Sequence, residues 1–128
     1  MLSTPRQLIV TSAILGACTV ALGAFGAHTL KDSLDAYSMD VFTKAATYQM
    51  YHVLALLAVG VGALHKPSLL LAWAGRLFVL GIVLFSGSLY ALALSHVKVL
   101  GAITPFGGVA FIAGWICVAM AFIKQPDA

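Results

Sequence analysis

The chain contains no glutamate, and its 128 residues hold only four Asp against seven Lys and Arg. Only 9% of it is charged, where a soluble domain carries about 25%. So few charges cannot cover the surface of a water-soluble globule of this size. Cysteine is equally scarce: Cys18 and Cys117 each lie inside an apolar run, which is not the layout of a secreted disulfide framework. The formal net charge is +3, but the basic residues are scattered singly, so no cluster is present to track the phosphates of a nucleic acid. What the chain has in excess is apolar side chains, 62% of the total. Lipid is therefore expected as part of its solvent, with the isolated Lys and Arg marking membrane boundaries.

The charges divide the chain into four apolar intervals. Arg6 to Lys31 encloses 24 uncharged residues, Lys44 to Lys66 encloses 21, Arg76 to Lys98 encloses 21, and Lys98 to Lys124 encloses 25. A crossing helix needs about 20 residues, so each interval holds one and none holds two. Spans are predicted near 7–29, 45–65, 75–96 and 99–123. The fold class is all-α: a four-transmembrane-helix bundle in which residues 1–128 make a single integral membrane domain. Backbone groups have no partners in hydrocarbon, and at this interval length helices satisfy them better than barrel strands of about 10 residues. Leu15-Gly16-Ala17-Cys18 resembles a lipoprotein cleavage box, but the chain stays apolar through Ala27 where a polar tether would follow, so the first span is read as a retained helix.

Arg76 is assigned to an interface rather than to the hydrocarbon centre. The distance from Arg76 to Lys98, at about 1.5 Å per residue, is roughly 33 Å and already matches the apolar core of a bilayer. Trp73 then serves as a belt aromatic beside it. Between Lys31 and Lys44 the chain is polar, yet Leu34, Tyr37, Val41 and Ala45 recur at helical steps and Asp40 pairs in register with Lys44. A short interfacial helix is expected there, leading into span two. The short links at Lys66-Pro67 and at His96 to Lys98 make neighbouring spans antiparallel. Both termini therefore share a side with Arg6, Lys66, Arg76 and Lys124, against Lys31, Lys44 and Lys98 opposite. That bias favours cytoplasmic termini.

At about 100° per residue, Ala13, Ala17, Ala21, Ala24 and His28 share one stripe of the first span, and Gly16, Gly23 and Ala27 another. Small residues let membrane helices approach closely, so span one is expected to be the packing hub. Polar side chains gather elsewhere: Tyr48, Gln49 and His52 on span two, Ser86 and Tyr90 on span three, Thr104 on span four. Counted from the nearest charge on the Lys31, Lys44 and Lys98 side, His28, Tyr48, His52, Tyr90 and Thr104 lie roughly 5 to 12 Å deep, in one half of the membrane. A polar group left unsatisfied there costs several kcal/mol, which leaves two arrangements: a hydrogen-bonded network between helices, or the lining of a wet or ligand-filled cavity. Pro105, with Gly107 and Gly108, predicts a kink at the same depth. The four histidines sit on different elements without an i,i+4 pair, so no metal site is expected. No nucleophile–base set, phosphate loop or carboxylate pair is present, and neither an enzyme nor a cofactor is expected.

Several motifs occur in order along the chain: Gly23-Ala24-Phe25-Gly26-Ala27-His28, Tyr48-Gln49 with His52, Leu84-Phe85-Ser86-Gly87-Ser88-Leu89-Tyr90, and Thr104-Pro105 with Gly107-Gly108 and Gly114-Trp115. In this the sequence resembles domain of unknown function 423, a family of small membrane proteins that includes human transmembrane protein 256. The resemblance implies a four-helix integral protein of the inner or plasma membrane, and it implies no activity, cofactor or catalytic residue. The expected function is non-enzymatic binding of a lipid headgroup or small polar ligand at the half-membrane cluster. Transport of an ion or small solute by an oligomer, and a role as a membrane scaffold or assembly subunit, are the alternatives. Membrane lipid and a second copy of the chain are the expected partners.

Overall fold

The computed structural model describes residues 2–126, and among them all regular structure is helical. Helix α1 runs over Pro5–Leu30, α2 over Ala36–His65 and α3 over Leu69–Ser95, while a 3-10 turn, Lys98–Ala102, leads into α4, Thr104–Ile123. With that turn included, the four rods are 26, 30, 27 and 26 residues long and apolar enough to cross a membrane. At about 1.5 Å per residue each exceeds a hydrocarbon core of about 30 Å, so their ends reach the headgroup layers. These are the four expected spans, with the second beginning nine residues and the third six residues earlier than expected.

Local chemistry sets where the rods begin. Thr4 Oγ1 accepts the Gln7 N–H at 3.2 Å while Gln7 Oε1 accepts the Thr4 N–H at 3.2 Å, a reciprocal cap ahead of Pro5. The Asp35 carboxylate accepts the Ser38 N–H at 2.7 Å and starts α2. Ser68 Oγ does the same for α3 through Leu70 N–H at 3.2 Å. The expected interfacial helix is not a separate element. With no Gly or Pro between Ala36 and Ala45 to break it, that segment continues into α2 and carries the exposed Asp40–Lys44 ion pair at 2.8 Å. Nor does Pro105 kink the middle of a rod. It occupies the first turn of α4, where its missing N–H would have had no helical partner, and the change of winding falls just before it. Two wide π turns, Gly26–Leu30 and Ile82–Ser86, interrupt α1 and α3.

The central pair is α2 and α3, antiparallel to each other, with α1 packed on α2 and α4 on α3. Span one is therefore not the hub. Ala13, Ala17, Ala21, Ala24 and His28 are all exposed, and α1 buries Leu8, Ser12 and Thr19 instead. The hydroxyls of Ser12 and Thr19 donate to their own helix, to Ile9 O at 2.8 Å and Leu15 O at 2.7 Å, and so can face a protein neighbour without a foreign partner. Of the glycine stripe, a Cβ added at Gly16 would meet Val53, while one at Gly23 would meet no other side chain or helix within 4 Å.

Between α3 and α4 the packing is reciprocal: Phe78 is seated over Gly114 and Phe111 over Gly81, while the backbone of Phe85 lies directly against Gly107. The steps of three and four residues keep these contacts on one face of each helix and fix the antiparallel register. Dispersion across such flat contacts, rather than escape from water, holds helices together in lipid.

Candidate functional site

Beneath the Lys31, Lys44 and Lys98 boundary, the polar side chains of α2, α3 and α4 meet in pairs. Tyr90 OH donates to Gln49 Oε1 at 2.7 Å, and Gln49 Nε2 reaches toward Leu15 O at 3.5 Å, so this pair draws α1, α2 and α3 together. Ser86, fully buried, donates to the Ala45 carbonyl at 2.8 Å. Two residues on, about 200° around the helix, Ser88 shares a hydrogen bond of 2.7 Å with Thr104 and so links α3 to α4. Nearer the boundary, Ser38 Oγ lies 3.2 Å from His96 Nδ1 and ties the start of α2 to the α3–α4 link.

His52 is buried among aromatic rings. Its ring stacks on Phe111 with centroids 3.5 Å apart and planes 9° from parallel, and Phe78 and Trp115 flank it at 5.6 and 6.0 Å. Trp115 Nε1–H can only donate, and it sits 3.1 Å from His52 Nε2, which must therefore accept. The proton then belongs to Nδ1, which donates to the Tyr48 carbonyl at 2.7 Å. Both nitrogens of a neutral imidazole are thus engaged, and a metal or an incoming proton at Nε2 would have to displace the indole.

Five of the seven candidates, Gln49, His52, Ser86, Tyr90 and Thr104, belong to this inward network. The other two do not point inward. Tyr48 is 41% exposed, with its ring against Phe85 at 4.9 Å and Tyr51 at 5.9 Å. His28 lies on the exposed stripe of α1. The reason is angular: α2 presents one face to α3, and Tyr48 falls at the edge of the face that holds Ala45, Gln49 and His52, all buried. Among the described residues no buried side-chain nitrogen or oxygen lacks a hydrogen-bond partner. Two open cavities line the opposite boundary: about 800 Å³ beside Leu2, Arg6 and Val10, and about 400 Å³ beside His65, Lys66 and Lys124. Ser88 and the donor role of Trp115 were missed by pattern alone. Ser88 could have been found as the neighbour of Ser86 on the other side of the same helix.

Comparison with known proteins agrees with this architecture. The profile of a family described as "Protein of unknown function (DUF423)" matches residues 22–108. A UPF0382 membrane protein of Staphylococcus epidermidis is 50% identical over 93% of this chain and 97% of its own length. The UPF0382 inner membrane protein YgdD of Escherichia coli K12 is 42% identical over 94% of this chain and 92% of its own. No solved structure matches. Four apolar rods, relatives named as membrane and inner membrane proteins, and a family profile covering more than half the sequence lead to one conclusion: this chain belongs to the DUF423 family and is a multi-pass integral protein of the inner or plasma membrane.

Proposed function

We propose that the protein is non-enzymatic and recognises a lipid headgroup or small polar ligand on the outer face of its polar half, with the interior network holding that face in position. The observation behind this reading is a contrast. Inside the bundle every buried side-chain nitrogen and oxygen among the described residues is partnered, whereas the side chains of Tyr48, Tyr51 and His28 are exposed in the same half and make no hydrogen bond among those residues. In hydrocarbon an unpaired hydroxyl is costly, and a headgroup or polar ligand at this depth supplies the partner.

Native mass spectrometry in neutral detergent, with lipids of different headgroup on identical acyl chains, tests it. A headgroup preference is expected that Tyr48→Ala weakens about fivefold, the worth of one hydrogen bond of about 1 kcal/mol. Equal retention of all headgroups, or a preference that Tyr48→Ala leaves intact, overturns the reading.

A second reading, assembly with another protein, is favoured by the exposed stripe Ala13, Ala17, Ala21 and Ala24, since small residues admit close helix approach. A crosslinker placed by Ala17→Cys should then capture a protein partner, a second copy included, and capture of lipid alone ends that idea. Transport gains least support: Phe78, Phe85 and Phe111 fill the seam between α3 and α4, so a solute path would have to run between protomers.

A further inference from the structure

The boundary shared by the two termini carries chemistry that the polar half does not use. On the opposite boundary Lys31, Lys44 and Lys98 are offset by Asp32, Asp35 and Asp40, so the formal net charge of +3 belongs to the terminal side. There the ends of α2 and α4 and the start of α3 surround a cavity of about 400 Å³ lined by His65, Lys66, Ser68, Leu70, Lys124 and Gln125, among others. No carboxylate of the described residues lines it, and neither lysine forms an ion pair among them. His65 engages the Val61 carbonyl through Nδ1 at 3.0 Å, and its Nε2 has no hydrogen-bond partner among the described residues. Ser68 Oγ accepts from Leu70 N–H and keeps its own proton to give. The cavity thus offers two ammonium groups, a hydroxyl donor, an amide and an imidazole around one opening. It sits where α2 stops at His65 and α3 begins at Leu69, at the level of the headgroups.

We propose that this cavity binds a phosphate-bearing anion, and that the phosphate of an anionic phospholipid is what a membrane supplies at that level. Basic pockets between transmembrane helices capture anionic headgroups by this charge pattern, each lysine near the surface contributing about fivefold in affinity. The amino end of α3, beside the same opening, presents its positive pole to the anion. The site is independent of the one proposed around Tyr48, at the other boundary, so either can fail without the other.

The test is native mass spectrometry of the full chain in neutral detergent with phosphatidylglycerol, with phosphatidylcholine of the same acyl chains, and with inorganic phosphate as competitor. Wild type should retain phosphatidylglycerol over phosphatidylcholine. Lys66→Gln with Lys124→Gln should lower that affinity about 25-fold, while Lys31→Gln with Lys98→Gln should change it less than about twofold. If inorganic phosphate binds and phosphatidylglycerol shows no advantage over phosphatidylcholine, the anion is free phosphate rather than lipid. In that outcome phosphate binding must still depend on Lys66 and Lys124. Equal retention of both lipids without phosphate binding, or a preference that survives the Lys66/Lys124 pair of substitutions, overturns the proposal. Both lysines are exposed, so the variant should melt like wild type. If it does not, the charge-conserving pair Lys66→Arg and Lys124→Arg must keep the lipid preference, and its loss there would be equally decisive against the site.

Discussion

His52 shows how much a single side chain has to satisfy when water is absent. Its Nε2 lone pair is matched to one donor, Trp115 Nε1–H at 3.1 Å, and its other face is covered by Phe111. Trp115→Phe keeps most of the ring contact and removes only that donor, which leaves a buried acceptor. Tyr90→Phe does the same to Gln49 Oε1, on a residue only 4% exposed. Each substitution should lower bundle stability by about 0.6 to 2 kcal/mol, the range found for hydrogen bonds between membrane helices. Reversible unfolding in mixed micelles measures this. Tyr48→Phe, at an exposed hydroxyl, should change stability by less than about 0.5 kcal/mol, and an effect as large as that of Tyr90→Phe would place Tyr48 inside the network after all. Residue types and depths along the sequence were enough to collect Gln49, His52, Ser86, Tyr90 and Thr104. They could not separate those from Tyr48 and His28, because facing inward is a property of the neighbouring helix and not of the residue.

At the scale of elements, the α3–α4 seam makes the sharpest demand. A Cβ added at Gly107 would collide with the backbone nitrogen of Phe85 and come within 2.8 Å of its Cα, and backbone cannot rotate away as a side chain can. At Gly108 the nearest atom is Phe85 Cδ2 at 4.0 Å. Gly107→Ala should therefore force the helices apart and destabilise by about 1 to 3 kcal/mol. Its neighbour Gly108→Ala should be neutral or gain up to about 1 kcal/mol from helix propensity. Similar melting temperatures for the two variants would contradict the register described. The start of α2 depends on pH. The Ser38 N–H bonded to the Asp35 carboxylate holds that carboxyl below its ordinary value of 3.8. A carboxyl with a lowered folded pKa stabilises the fold above its unfolded value, and that contribution is lost as pH falls through the folded one. The first turn of α2 should accordingly loosen only in acid, seen as a shift of the Ser38 amide resonance, and Asp35→Asn, whose amide oxygen still accepts, should suppress the shift.

In the whole molecule, an even number of crossings puts both termini on one side, together with all of the net positive charge. That side also holds four of the seven Lys and Arg, an excess that predicts a cytoplasmic location for the termini. A fluorescent protein fused after the last residue should fluoresce, and alkaline phosphatase at the same place should be inactive; the reverse would invert the orientation. The sequence by itself determined the solvent, the number of crossings, their approximate limits and the half of the membrane in which polar groups collect, because interval length and charge spacing act along one dimension and need no knowledge of neighbours. Only the tertiary structure decided which helix is central and which small-residue stripe is covered. It also decided that Phe–Gly contacts set the α3–α4 register, and that the ends of α2 and α4 bring Lys66 and Lys124 to one cavity. Hydrocarbon surrounds every apolar face equally, so no gradient in the sequence marks the face that will meet another helix, and the choice rests on shape complementarity between surfaces far apart along the chain.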